Sequence, residues 1–171
     1  KTPDMKLASD VMTPEVLWSF GRIGSVSVSP DQKTLLYDVT YFNKEEDRSY
    51  SDIYVMNLAD GKSQQLTDTD YKEFGETWTS DGKIAFMSSK SGSVQLWEMN
   101  ADGSGLTQLT NVEGGIGGFI FSPDKSKLLF LKDVKLEQDV HDLHPDLPKA
   151  NARLIDGQVY RHWNDWVEAY T

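Results

Sequence analysis

Val28-Ser29-Pro30-Asp31 is followed by Thr34-Leu35-Leu36-Tyr37 and by Asp52-Ile53-Tyr54-Val55-Met56-Asn57, and the stretch closes with Asp60-Gly61 and Gln65-Leu66-Thr67. The same grammar returns as Trp78-Thr79-Ser80-Asp81-Gly82, Lys83-Ile84-Ala85-Phe86, Gln95-Leu96-Trp97-Glu98-Met99-Asn100, Asp102-Gly103 and Gln108-Leu109-Thr110. It begins a third time as Phe121-Ser122-Pro123-Asp124 and Lys127-Leu128-Leu129-Phe130-Leu131. Asp31 and Asp81 lie 50 positions apart, Asp81 and Asp124 lie 43 apart, and so do Leu66 and Leu109. The surplus of the first unit falls in the polar run Asn43-Lys44-Glu45-Glu46-Asp47-Arg48. Repeats of about 40–50 residues built from short strands are the sequence pattern of propeller blades with four strands each.

The local chemistry agrees with the period. Asp-Gly at 60–61, 81–82 and 102–103 suits tight turns, because glycine takes a positive φ without strain. Ser-Pro-Asp presets a turn through the fixed φ of proline. Between turns stand short runs rich in β-branched and aromatic residues. Ile53, Val55 and Leu96 fit buried positions of an alternating pattern, and Tyr54 and Trp97 are expected to pack on the opposite face. The predicted class is all-β, a partial β-propeller of about three four-stranded antiparallel blades. Its expected divisions are an N-terminal helix and lead-in at 1–24, blade 1 at 25–68, blade 2 at 69–111, and an incomplete blade 3 at 112–171. The repeat breaks from about residue 133, where charge rises and a partly helical insertion is expected, with a turn or two of helix between Val134 and Asp142. Near the start, Thr13 as N-cap, Pro14 at the first helical position and Glu15 in the first turn predict a short helix.

Composition limits the function classes. The 171 residues carry 17 Lys+Arg against 27 Asp+Glu, a net charge of −10, and no basic run, which argues against nucleic acid and against an anionic membrane surface. Cysteine is absent, so disulfides, Cys-ligated zinc and thiol catalysis are excluded. The longest apolar runs, such as Leu128–Leu131, are too short to span a bilayer. Lys1-Thr2-Pro3-Asp4 opens without an apolar signal core, and the abrupt stop at Trp166-Val167-Glu168-Ala169-Tyr170-Thr171 is expected to be a cut edge in a longer protein. An arc of three blades exposes faces that a closed ring would bury, so they are expected to be covered by the rest of the chain, by another copy or by a partner.

The Ser-Pro-Asp, Tyr-Val-Met, Asp-Gly, Gln-Leu-Thr grammar resembles the TolB-like, WD-type propeller repeat. Three further segments are similar to the N-terminal propeller of bacterial prolyl oligopeptidase family enzymes, in the dipeptidyl-peptidase V and acylaminoacyl-peptidase branch. They are Met12-Thr13-Pro14-Glu15-Val16-Leu17-Trp18 with Gly21-Arg22, Asp146-Leu147-Pro148-Lys149-Ala150-Asn151-Ala152-Arg153, and Tyr160-Arg161-His162-Trp163-Asn164-Asp165-Trp166. The resemblance covers essentially the whole chain. It implies a parent serine peptidase, periplasmic or secreted after loss of a signal peptide, whose propeller gates and positions short peptides. The nucleophile, acid and histidine would lie in a downstream α/β-hydrolase domain. The alternative is a non-enzymatic TolB-like propeller that acts as a protein-binding scaffold.

No catalytic residue is assigned within the chain. A nucleophile elbow of the Gly-x-Ser-x-Gly type is absent from the sequence, and Ser29, Ser80 and Ser122 recur because they share one turn in each blade. No metal and no cofactor is assigned: His141 and His144 flank Asp142 and Leu143, but Pro145 interrupts the run and a solvated loop explains it. The glycine run 114–118 lacks the Lys-Ser/Thr of a phosphate loop and reads as the lead into the innermost strand of blade 3. Arg161, His162, Trp163 and Trp166 form an aromatic and basic cluster outside the repeat and are the candidate substrate-binding residues. Glu168 joins them because a related branch of the family holds the substrate amine with paired glutamates; this segment carries one glutamate, not two.

Overall fold

A computed structural model describes residues 11–136, 138–149 and 152. It divides into two units, one through Asp133 and one from Val134 onward. In the first unit, helix α1 (Pro14–Ser19) leads into a four-stranded antiparallel sheet of β1 (Arg22–Val28), β2 (Thr34–Asn43), β3 (Arg48–Asn57) and β4 (Ser63–Gln65). A second such sheet follows, with β5 (Glu73–Trp78), β6 (Ile84–Ser88), β7 (Gln95–Met99) and β8 (Thr107–Gln108). A third is represented by β9 (Gly118–Phe121) paired with β10 (Leu128–Leu131). In each sheet the strands lie side by side in chain order, as meandering propeller blades require. The Thr13 hydroxyl accepts from the Val16 amide at 3.3 Å and so caps α1 as the sequence predicts.

The recurring turn has one hydrogen-bond design. The Ser29 hydroxyl donates to Asp31 at 2.6 Å and accepts the Thr34 amide at 2.9 Å. Thr79 does the same with Asp81 and the Lys83 amide at 2.6 and 3.1 Å, and Ser122 with Asp124 and the Lys127 amide at 2.6 and 2.9 Å. The hydroxyl of blade 2 at this position therefore belongs to Thr79, and Ser80 takes the place of the prolines. The next position needs a left-handed backbone. Gly82 supplies it at φ 78°, and Gln32 and Lys125 adopt it at 60° and 58°.

The Gln-Leu-Thr signature closes blades 1 and 2. Leu66 and Leu109 donate their amides to the carbonyls of Ile53 and Leu96 at 2.8 Å. Thr67 and Thr110 then accept the amides of the same two residues at 2.9 Å. The glutamines Gln65 and Gln108 bond forward to the threonine carbonyls at 2.7 and 2.6 Å. One short segment thus satisfies both backbone groups of a buried strand residue at the rim of the sheet.

Blades are held to one another by apolar faces. Leu36, Ile53, Ile84, Phe86 and Met99 form one buried cluster, with Val55, Leu66, Trp78 and Trp97 packed around it, and it fills the space between blades 1 and 2. Ala85, Met87, Leu96 and Ile116 form another, with Phe74, Phe119, Phe121 and Leu128 around it, between blades 2 and 3. Leu96 and Trp97 therefore face opposite blades, as alternation demands. Tyr54 stacks on Tyr37 at 5.6 Å on the face of blade 1 away from blade 2. The glycine run is also structural: Gly115 sits at φ 88°, and a Cβ there would press on the Val94 carbonyl at 2.9 Å.

Charge adds a second link between blades 2 and 3. The Lys125 ammonium lies 2.7 Å from Asp81 and in contact with Glu98, and Lys83 reaches Glu98 at 2.8 Å. The hydrogen bond from Lys125, then that from Thr79, pulls Asp81 down to about 2. Burial pushes Glu98 upward, but hydrogen bonds from Lys125 and Lys83 more than offset it and leave it below the usual range.

Two outcomes test this architecture. Leu96→Ala should cost ~2–5 kcal/mol in urea unfolding, because Leu96 is fully buried between two blades. The folded-state pKa of Asp81 is depressed, so its contribution is present above the unfolded value of 3.8 and is lost as pH falls toward 2. Lys125→Met should move the Asp81 titration midpoint upward, as read by carboxyl NMR.

Candidate functional site

Loops at one end of blades 1 and 2 enclose a cleft of about 750 Å³, lined by Trp18, Phe42, Asn43, Lys44, Asp47, Arg48, Ser49, Lys72 and Ser89. The long β2–β3 hairpin builds it. These strands run in register from Thr34↔Asn57 to Asn43↔Arg48, several pairs beyond the corresponding β6–β7 hairpin. Asn43 holds the hairpin tip: its side-chain oxygen accepts the amides of Glu45 and Glu46 at 3.0 and 3.2 Å, and its amide nitrogen donates to Glu46 at 2.9 Å. Asp47 turns the chain at φ 48°.

Helix α1 supplies the apolar wall. Trp18 meets Phe42 edge-on at 5.5 Å, and the Arg22 guanidinium lies 4.5 Å from the Phe42 ring and 5.5 Å from the Trp18 ring. Arg48 crosses the opposite side, 4.9 Å over Tyr50, and donates to the Asp70 carbonyl at 2.8 Å. In a chain of net charge −10, Lys44, Arg48 and Lys72 concentrate positive charge around an aromatic wall. Chemically the cleft suits a group that pairs an apolar body with a negative end. Composition alone hid this cluster, because Lys44 and Arg48 of the β2–β3 hairpin meet Lys72 only through the distant β4–β5 connection.

Arg161, His162, Trp163, Trp166 and Glu168 lie outside the described residues. His141 stands on α2 (Val140–Leu143) and His144 caps it, both exposed. Asp139 caps this helix by accepting the His141 and Asp142 amides at 2.8 and 3.0 Å, and Lys135 bonds Asp139 at 2.7 Å and Asp142. These carboxylates serve helix capping, and no group of three or more metal-ligating side chains occurs among the described residues. No helix among the described residues is long and apolar enough to cross a membrane.

Arg22→Ala removes both ring contacts of the guanidinium. It should weaken α1 docking by ~0.5–2 kcal/mol, seen as faster amide exchange in α1 with blade 2 unaffected.

No family model matches the chain. Dipeptidyl-peptidase 5 of Porphyromonas gingivalis is 44% identical over 158 residues, 92% of this chain, and the chain spans 23% of that relative's length. Among solved structures, the acylaminoacyl peptidase of Pyrococcus horikoshii matches with a TM-score of 0.56 at 20% identity, over 72% of this chain and 20% of its own; this likeness speaks for the fold. A putative TolB of Agrobacterium tumefaciens matches with a TM-score of 0.51 at 28% identity, over 61% of this chain and 36% of its own. The blade meander and the extended identity with dipeptidyl-peptidase 5 lead to one conclusion: the chain belongs to the same family as dipeptidyl-peptidase 5, as a segment of its N-terminal propeller.

Proposed function

We propose that this chain is the part of a secreted or periplasmic serine exopeptidase that gates and positions short peptides for an α/β-hydrolase domain elsewhere in the protein. The observation that carries the reading is the 44% identity with dipeptidyl-peptidase 5 across nearly the whole chain. In this reading the propeller supplies no reacting group. It restricts access by size and orients the peptide by its ends. Glu168 would meet the substrate's free amine, with Arg161, His162, Trp163 and Trp166 around it. The cleft beside Trp18 and Phe42, where Lys44, Arg48 and Lys72 stand against the single carboxylate of Asp47, suits a peptide's carboxylate end. The open faces of blades 1 and 3 would be covered by further blades, by the hydrolase domain or by a second copy.

Likeness to a TolB propeller favours the other reading, a scaffold that binds protein and performs no chemistry. The complete protein separates the two. Under the peptidase reading it releases dipeptides from chromogenic dipeptidyl anilides and loses that activity with a serine-directed inhibitor. Glu168→Gln then raises KM for substrates with a free amine ~10-fold or more, with kcat largely retained, because uniform binding is what it removes. A complete protein that hydrolyses no peptide and is inert to the inhibitor would establish the scaffold instead.

A further inference from the structure

Blade-to-blade register shows where side chains correspond. Val26 pairs with Tyr37 and Phe119 with Phe130, and in blade 2 a bulge sets Gly75 and Glu76 against Phe86, between the pairs Phe74↔Met87 and Thr77↔Ala85, so that Glu76 takes the position before Thr77 that Val26 takes before Ser27. One residue further along β2, Asp38 pairs with Ile53 as Met87 pairs with Leu96, and Leu131 corresponds in blade 3. Two positions that are apolar in the other blades thus carry Glu76 and Asp38. Both are buried, at 4% and 5% exposure. They meet at the junction of blades 1 and 2.

Ser25 of β1 stands between them. Its hydroxyl is 3.1 Å from Asp38 Oδ1 and 2.9 Å from Glu76 Oε1, and its amide donates to Asp38 Oδ1 at 2.7 Å. Ser51 donates to Asp38 Oδ2 at 3.2 Å, and Thr40 to Ser51 at 3.1 Å. Gly24 leaves the space, since a Cβ there would collide with the Asp38 carboxyl. A hydroxyl has one hydrogen. Ser25, exposed on β1, can give it to one carboxylate only, and the second carboxyl is best matched to the same oxygen when it keeps a proton of its own. Asp38 already receives an amide and the Ser51 hydroxyl, which leaves the retained proton to Glu76. Glu76 Oε2 is buried without a hydrogen-bond partner, a position tolerable for a neutral carboxyl and costly for a carboxylate.

We propose that Glu76, Ser25 and Asp38 share one proton in a relay across the junction of blades 1 and 2, and that its loss as pH rises toward and through neutrality loosens this junction. The chain runs from the Glu76 carboxyl to Ser25 Oγ and from the Ser25 hydroxyl to Asp38. Burial, then the charge of Asp38, raises Glu76 to about 7. Asp38 from β2 is the charged group that acts on it. On β5 itself, Glu73 is engaged elsewhere, with Thr67, Thr69, Asp52 of β3 and Lys90. The cations of neighbouring strands are also committed elsewhere, Arg22 over Phe42 and Trp18 and Lys83 with Glu98.

The sign follows from linkage. Between the ordinary value of 4.5 and about 7 the folded chain holds a proton that the unfolded chain has released, so stability falls as pH rises, by up to about tenfold in the unfolding constant per pH unit. Urea unfolding of the 171-residue chain from pH 4.5 to 8.5, with NMR titration of the Glu76 carboxyl, tests it. The expected results are a Glu76 midpoint near neutrality and a Glu76→Gln variant that lacks this part of the pH slope, since a Gln amide also donates to Ser25. Should Glu76→Gln fail to fold, Glu76→Val, which installs the residue of blade 1, is expected to lack the slope as well. A Glu76 midpoint in the ordinary carboxylate range, or a variant whose slope equals that of the wild type, overturns the relay.

Discussion

Each blade presents two apolar faces, and neither can be left to water. This constraint organises the described fold. A single four-stranded sheet of this length buries little by itself, so its stability comes from the next sheet along. Leu36 and Ile53 of blade 1 meet Ile84, Phe86 and Met99 of blade 2, and on the far side Leu96 and Met87 meet the start of blade 3. The strands alternate because one sheet must satisfy both neighbours at once. Where no neighbour is described, side chains such as Ile120, Leu129 and Leu131 remain exposed at 63%, 67% and 66%.

Polar detail is then assigned to the places the apolar rule leaves free. Turn hydroxyls fold onto their own aspartates, threonines close the blade rims, and long hairpins extend past the sheet into solvent. The cleft next to Trp18 arises in that way, from a hairpin that outgrew its sheet. The paired carboxyls at the first junction depart from this, as do Asp52 and Glu73, exposed to only 1% and 2%. They sit inside the packing layer, where a charge is tolerable only if hydrogen bonding or a retained proton compensates it.

Most of the architecture was legible because it repeats. A period near 43, Asp-Gly turns and the Gln-Leu-Thr close are local signals, and each corresponds to a hydrogen bond that recurs in the structure. The first helix was legible for the same reason, since Thr13 and Pro14 act within one turn. The Lys44, Arg48 and Lys72 cluster was not, because Lys72 comes from a connection far along the chain from the hairpin that carries Lys44 and Arg48. Nor did the sequence single out Asp38 and Glu76. Their departure from the repeat shows only when the strands are aligned by pairing, since turns of unequal length in blades 1 and 2 displace a simple count by one. The predicted binding segment, Arg161 to Glu168, rests on resemblance, with no neighbouring geometry to weigh it against.

Lys125 occupies the left-handed turn position that glycine fills in blade 2, at some backbone cost, and its ammonium is also the bolt between Asp81 and Glu98. The two roles conflict: the side chain best suited to that backbone carries no charge, and the side chain that reaches across carries the strain. Averaging the blades toward one ideal repeat would therefore give each turn a calmer backbone and leave the second seam without its bolt. Irregularity at this spot is what ties blade 3 to blade 2 by charge as well as by packing.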